Sequence, residues 1–257
     1  MSRDRRRLRW SAYVGVTLWH AAFGIGRRGC RHLNRSNDVV GKLYCAGFSP
    51  DYILDIGANT GQWTRNTRLV FPKAKYVMLD GLDWTWIWPD LLSTGLVVGS
   101  QVVLDREDRE VDWYANRFHT GNSMYRERTG YFSQTQPSRV RAHTLDGFLE
   151  RKGWLFRFAL VKLDVQGAEL AILSGGSFVL SMAEFVVMEL PFAGQYNDGA
   201  PSFAEYVAFM DRAGFVPFHL PEIHYAGGIV VQIDIVWTRR GSKWEGLALD
   251  AIAREGT

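Results

Sequence analysis

Several acidic residues stand beside glycines or at the ends of apolar runs, where a chain can hold ligands and move protons. The first segment is Asp55-Ile-Gly57-Ala58-Asn59-Thr60-Gly61. Its glycines let the backbone turn tightly and approach a ligand with no Cβ in the way. A helix beginning just after it would offer unpaired N–H groups at its start. A dinucleotide-binding turn reads G-x-G-x-x-G, and Asn59 stands at its second glycine. Asp55, before the first glycine, is placed to meet the amino group of an amino-acid-bearing cofactor; the competing reading is a tight turn with a structural aspartate. Asp55, Gly57, Ala58, Asn59 and Gly61 are therefore candidate cofactor contacts. Asp80 ends the apolar run Tyr76-Val-Met-Leu79, about twenty residues further on, the spacing at which an acid meets ribose hydroxyls. Asp83 is its nearby substitute. Asp105, directly after the run 96–104, is a further candidate cofactor contact.

The segment Val161-Lys162-Leu163-Asp164-Val165-Gln166-Gly167-Ala168-Glu169 carries a second kind of chemistry. Strand alternation puts Lys162 and Asp164 on one face, with Asp164 at the carboxyl end. Glu189 ends Phe185-Val-Val-Met-Glu189 in the same way. Two carboxylates at neighbouring strand ends can share a proton, bind a divalent ion or orient a hydroxyl nucleophile; a structural ion pair with Lys162 or an arginine is the plainer alternative. Of six histidines none forms an H-x-x-x-H or H-x-E pair, so no metal site is expected. His119, beside Gly121-Asn122-Ser123-Met124, is a candidate general base, although histidines in surface loops are common. Asp83-Trp84-Thr-Trp86-Ile-Trp88 is either a core and lid cluster or a sugar-stacking platform, the former preferred. Neither a G-x-S-x-G elbow nor a phosphate-binding P-loop occurs.

These residues need elements to position them, and from about residue 50 strand-like and helix-like segments alternate. Strands are expected at Tyr52–Ile56, Lys75–Asp80, 96–104, 111–115, 158–164, 184–190, 215–220 and 230–238. Helices are expected at 60–70, 144–151, 168–173 and 201–213, and 116–139 reads as a long polar loop, a feature usually tied to function. Such alternation implies a mostly parallel sheet with helices on both faces, which binds ligands beyond the carboxyl ends of its strands.

The composition, 47% hydrophobic and 22% charged over 257 residues, suits one α/β domain with a modest extension. Two cysteines exclude a disulfide framework and a four-ligand zinc site, and make a reducing compartment the default. The charge is uneven: the first 35 residues hold nine arginines against Asp4, and the rest of the chain is net acidic. A basic arm on an acidic body argues against a nucleic-acid-binding domain and for a surface contact made by the arm. Between the arginine clusters, 10–26 is apolar but interrupted by three glycines and a histidine. It reads as a helix packed on the domain, an interfacial anchor, or a membrane span or targeting signal, and we take it as a helical extension suited to touching a membrane surface. The expected layout is an extension at 1–48, a domain at 49–240 and a tail at 241–257.

Asp55-Ile-Gly-Ala-Asn-Thr-Gly61, followed by Lys162-Leu-Asp-Val-Gln-Gly-Ala-Glu169 with Leu173 and Gly175-Gly176, resembles the FkbM family of class I O-methyltransferases. The resemblance continues through Thr120-Gly-Asn-Ser-Met124, Glu189, Tyr196-Asn197, Pro201, Ala208-Phe-Met-Asp211 and Val231-Gln-Ile-Asp234. It covers roughly 50–238. It implies a Rossmann-like α/β fold with a seven-stranded, mostly parallel sheet and an antiparallel last strand. It further implies S-adenosylmethionine as methyl donor and a hydroxyl acceptor on a sugar, glycolipid or natural product. Where relatives often carry Phe-Glu-Pro, this chain has Leu79-Asp80-Gly81, which keeps the carboxylate and shortens its reach. In this reading Asp164, Glu189 and His119 are the candidate catalytic residues, and the enzyme is cytoplasmic, in peripheral contact with a membrane through its arm. A non-catalytic cofactor-binding module is the alternative function; a nicotinamide-dependent dehydrogenase is disfavoured by Asn59.

Overall fold

The computed structural model describes residues 39–115, 121–128, 136–193 and 196–247. His119 and the arm up to residue 38 lie outside them. The described chain begins with helix α1 (Val39–Cys45), and then alternates. Strand β1 (Tyr52–Ile56) leads to α2 (Gln62–Val70), and β2 (Lys75–Asp80) to a single turn, α3 (Pro89–Leu92). β3 (Val97–Gln101), β4 (Val103–Leu104), β5 (Arg109–Trp113) and β6 (Ser138–His143) follow, then α4 (Leu145–Lys152). The second half runs β7 (Leu160–Leu163), α5 (Glu169–Ser174), α6 (Ser177–Met182), β8 (Phe185–Pro191), α7 (Phe203–Arg212), β9 (Phe215–His219), β10 (Ile223–Ala226) and β11 (Ile229–Arg239).

The main sheet has the order β10-β11-β8-β7-β1-β2-β3, with β9 also paired to β11. The central pairs are parallel, and β11 is antiparallel to its neighbours. This is the expected mostly parallel sheet with an antiparallel last strand, widened by one strand because β9 and β10 share the outer edge of β11. The run 96–104, expected as one strand, is divided: β3 joins the main sheet and β4 joins β6 and β5 in a three-stranded sheet. The Val102 N–H donates to the Asp80 carbonyl at 2.7 Å, the last bond of the pairing between Asp80 and Gln101, and the chain then passes to the second sheet.

The inner strands are buried on both faces, as parallel strands flanked by helices must be. Leu54 and Ile56 of β1 face a core built with α4, α5, α6 and α7. Ile53 faces the opposite core, built with α1, α2 and α3. That second core also takes Val39, Val40 and Leu43 from α1 and Trp244 from beyond β11, so both ends of the described chain pack on the domain. Cys45 is disulfide-bonded, so the expectation of a reducing compartment draws no support from it. Among the described residues no helix is long and apolar enough to cross a membrane.

Candidate active site

The period-2 alternation of strands decides which side chains meet. Asp55 pairs in register with Met78 and Lys162, and Lys162 with Val187. These residues share one face. Two residues further along each strand the same face presents Asp80, Gly57, Asp164 and Glu189, and Glu189 is the register partner of Asp234 on β11. A row of acids therefore lines the carboxyl ends of the parallel strands, interrupted by the glycine where the chain turns into α2.

The turn is shaped by close approach. Gly57 has φ +76°, and a Cβ there would stand 1.9 Å from the Asp164 carbonyl oxygen. Gly61 has φ +81°, and Asn59, at φ +46°, is held in the left-handed region by two outside contacts. Its N–H donates to Asp80 Oδ2 at 2.8 Å, and its carbonyl accepts the Trp88 indole N–H at 2.9 Å. Asp80 also accepts the Leu82 N–H at 2.8 Å through Oδ1. It thus clamps the turn and also takes a side-chain hydrogen bond from Trp84, three donors on a carboxylate that can accept about four. Trp88 is fully buried against Gly99, and Trp84 is also buried, whereas Trp86 is 70% exposed and stacks on Trp84. The cluster is mainly core, as preferred.

Asp55 is wholly buried. Oδ2 accepts the Thr64 hydroxyl at 2.7 Å, while Oδ1 has no hydrogen-bond partner. Lys162 Nζ lies 3.7 Å from Oδ1, outside hydrogen-bond reach. Burial pushes the Asp55 carboxyl up, only partly countered by Lys162 and Thr64. Lys162 Nζ instead donates to Asp164 Oδ2 at 3.1 Å. Although burial works against its charge, Asp164 and Asp55 hold the ammonium well above its ordinary value.

Gln166, in the left-handed region at φ +57°, joins the two candidate catalytic acids. Its Nε2 donates to Asp164 Oδ1 at 3.3 Å and to Glu189 Oε1 at 2.7 Å. Strain at such a non-glycine residue persists only where neighbours impose it. Here the Ser123 hydroxyl donates to the Gln166 carbonyl at 2.9 Å. Glu169 accepts from the Val165 and Gly167 N–H groups and, through Oε2, from Tyr206 Oη at 2.5 Å. Asp164 is the open member of the row, its side chain 36% exposed. Glu189 is pushed well up by burial and by the like charges of Asp164 and Asp234. Burial, with Asp164 and Glu222 nearby, pushes Asp234 up to about 7.

Asp55, Gly57, Ala58, Asn59, Gly61, Asp80, Asp164 and Glu189 thus lie along one edge. Asp105 does not join them. It sits between β4 and β5, where Oδ2 accepts from Arg109 at 2.5 Å and Oδ1 from the Arg106 N–H at 2.7 Å. Its oxygens are engaged by their own turn, which makes it a structural residue in place of the expected cofactor contact. The described parts of the segment expected as a loop, 121–128 and 136–139, take part in pairing. β6 starts at Ser138, Ser123 bridges to Tyr114, and Glu127 bridges to Asn197. Sequence reasoning did not single out Gln166, Tyr196, Gln232, Asp234 or His224 as site residues. Tyr196 Oη donates to Gln232 Oε1 at 3.2 Å, and a small pocket beside it is lined by Gln166, Gly167, Glu189, Tyr196 and Ala200.

A family model described as "Methyltransferase FkbM domain" matches residues 55–217. No curated protein matches. Among solved structures, an FkbM methyltransferase from Methylobacillus flagellatus KT is 11% identical with a TM-score of 0.48, over 73% of this chain and 44% of that one. This chain therefore spans less than half of its length. A precorrin-6y C5,15-methyltransferase from Geobacter metallireducens GS-15 is 11% identical with a TM-score of 0.44, over 79% and 85%. A magnesium protoporphyrin IX methyltransferase from Synechocystis PCC 6803, solved with bound SAH, is 11% identical with a TM-score of 0.44, over 81% and 83%.

Proposed function

The chain belongs to the FkbM methyltransferase family, and on that footing we propose that it transfers a methyl group from S-adenosylmethionine to a hydroxyl oxygen of a sugar, glycolipid or natural product. One observation carries the reading: the glycine turn packs so tightly on the main-chain carbonyl of Asp164 that only a residue without a Cβ fits at Gly57, while the Asp164 side chain is 36% exposed. A cofactor held by the turn would have its reacting end beside a proton acceptor.

The residues suit that cofactor. Asp55 Oδ1 is buried and lacks a donor, an acceptor suited to the methionine ammonium. Asp80 retains acceptor capacity for ribose hydroxyls while it clamps Asn59. Bound there, S-adenosylmethionine supplies a methyl group on a sulfonium that departs as a neutral thioether. The chain does the positioning, which for well-oriented reactants can supply about 7–11 kcal/mol of a barrier. Asp164 accepts the hydroxyl proton, steadied by Lys162 and Gln166, and Glu189 orients the acceptor from the next strand. The pocket beside Tyr196 is the acceptor side. His119, two residues before Gly121 in the sequence, is a second candidate base. The activity resides in 49–240, with 1–48 as an extension and 241–257 as a tail. We place the arginine-rich arm against a membrane surface, and expect no nucleic-acid partner.

Calorimetric titration with S-adenosylmethionine tests the cofactor assignment. Asp55→Ala is expected to weaken binding at least tenfold, about 1.4 kcal/mol, and unchanged affinity would remove Asp55 from the site. Asp164→Asn is expected to bind the cofactor normally and to lose most turnover.

A further inference from the structure

We propose that Glu189, His224 and Asp234 form a binding site for one divalent transition-metal ion at the acceptor end of the acid row. The three residues come from β8, β10 and β11, adjacent strands of the sheet. Asp234 is the register partner of Glu189, and His224 of Gln232, two residues before Asp234 and therefore on the same face. The sheet thus sets the three side chains side by side. Their ligand atoms all lie within 4.8 Å of one another. An ion bound at roughly 2.0–2.2 Å holds its ligand atoms up to about 4.4 Å apart, so small side-chain rotations close the site.

A second observation points the same way. Asp234 Oδ1 is buried and has no hydrogen-bond partner, although it sits beside Glu189 and near Glu222, whose oxygen is 3.8 Å from His224 Nε2. Buried carboxylate oxygens ordinarily have a donor or a cation. Lys162 faces the same row, but its ammonium is committed to Asp164 at 3.1 Å, with Asp55 at 3.7 Å. One imidazole with two carboxylates suits manganese through zinc better than the all-oxygen set favoured by magnesium or calcium. Three protein ligands also leave coordination positions open.

The chemistry of this inference rests on the hydroxyl-methylation reading; the binding does not. An acceptor hydroxyl on the ion becomes more acidic and gives its proton to Asp164, bridged to Glu189 by Gln166. Its oxygen then forms the C–O bond as the C–S bond of the sulfonium breaks, releasing the neutral thioether.

The test uses the full chain stripped by a chelator, with manganese(II) chloride as probe, followed by the resonance signal of the free aqueous ion and by thermal melting. One saturable equivalent and a raised melting temperature are expected. His224→Gln and Asp234→Asn are each expected to weaken binding at least tenfold and abolish the melting shift. His224 is 37% exposed, so that variant keeps its fold. No saturable binding, or binding that both substitutions leave intact, overturns the site. S-adenosylmethionine titrated into the same samples separates the two readings: manganese binding without cofactor binding upholds the metal site and sinks the methyl-transfer reading.

Discussion

Gly57→Ala is expected to cost about 4 kcal/mol or more of folding stability and to abolish cofactor binding. The added Cβ would stand 1.9 Å from the Asp164 carbonyl oxygen and 3.2 Å from a Val165 methyl. Backbone atoms of two neighbouring strands would have to part, and no side chain can swing aside to relieve the overlap. The left-handed φ of +76° adds roughly 1–2 kcal/mol for any residue with a Cβ. Gly153→Ala separates the two costs. It also has positive φ, +68°, but nothing lies within 4 Å of its added Cβ, so it should lose only about 1 kcal/mol. Denaturant unfolding of both variants measures the difference. Near-equal losses would show that the Gly57–Asp164 approach is not what the turn requires.

Glu169→Ala should be comparably severe, at roughly 3–5 kcal/mol, because it strips a buried acceptor from three donors at once. The Val165 and Gly167 N–H groups and the Tyr206 hydroxyl would be left without it. Asp164 and Gln166 lie in the same turn, so turnover should fall as well. Glu169→Gln keeps the shape and one acceptor and should lose less. It should also change the pH dependence. Burial raises the Glu169 carboxyl above its ordinary value of 4.5, outweighing the donors that pull it down. Over the interval above 4.5 the folded chain then holds a proton that the unfolded chain has released, so this group's contribution to stability declines as pH rises. The Gln variant should show a shallower decline, measured by melting temperature from pH 4 to 8. A slope identical to that of the unaltered chain would assign the pH dependence to other buried acids.

The acid row was legible in the sequence to the extent that it depends on period-2 alternation and on glycines at strand ends. Asp55, Asp80, Asp164 and Glu189 all terminate apolar runs, and parallel strands buried on both faces leave few other readings for such runs. Asp234 and His224 were not legible as site residues. Their place depends on β10 folding back along β11 across an irregularity between His224 and Tyr225, and neither strand carries a local signal for that register. Gln166 escaped notice because a glutamine in a glycine turn ordinarily faces solvent; its left-handed backbone, fixed by Ser123 and Glu169, turns it inward. Asp105 misled for a related reason. It also follows an apolar run, but that run splits between two sheets, a division that its composition does not mark. α6 was obscured because Ser177-Phe-Val-Leu-Ser-Met182 follows two glycines and is only six residues long.

The central claim is that this edge of the sheet carries methyl transfer to oxygen. The most direct measurement incubates the purified chain with S-adenosylmethionine labelled in its methyl group and a lipid, glycan and metabolite extract, then locates the label in the products. The account predicts label in a methyl ether or ester, lost with Asp55→Ala and strongly reduced with Asp164→Asn. Label on nitrogen or carbon, or label transfer that survives both substitutions, would contradict it.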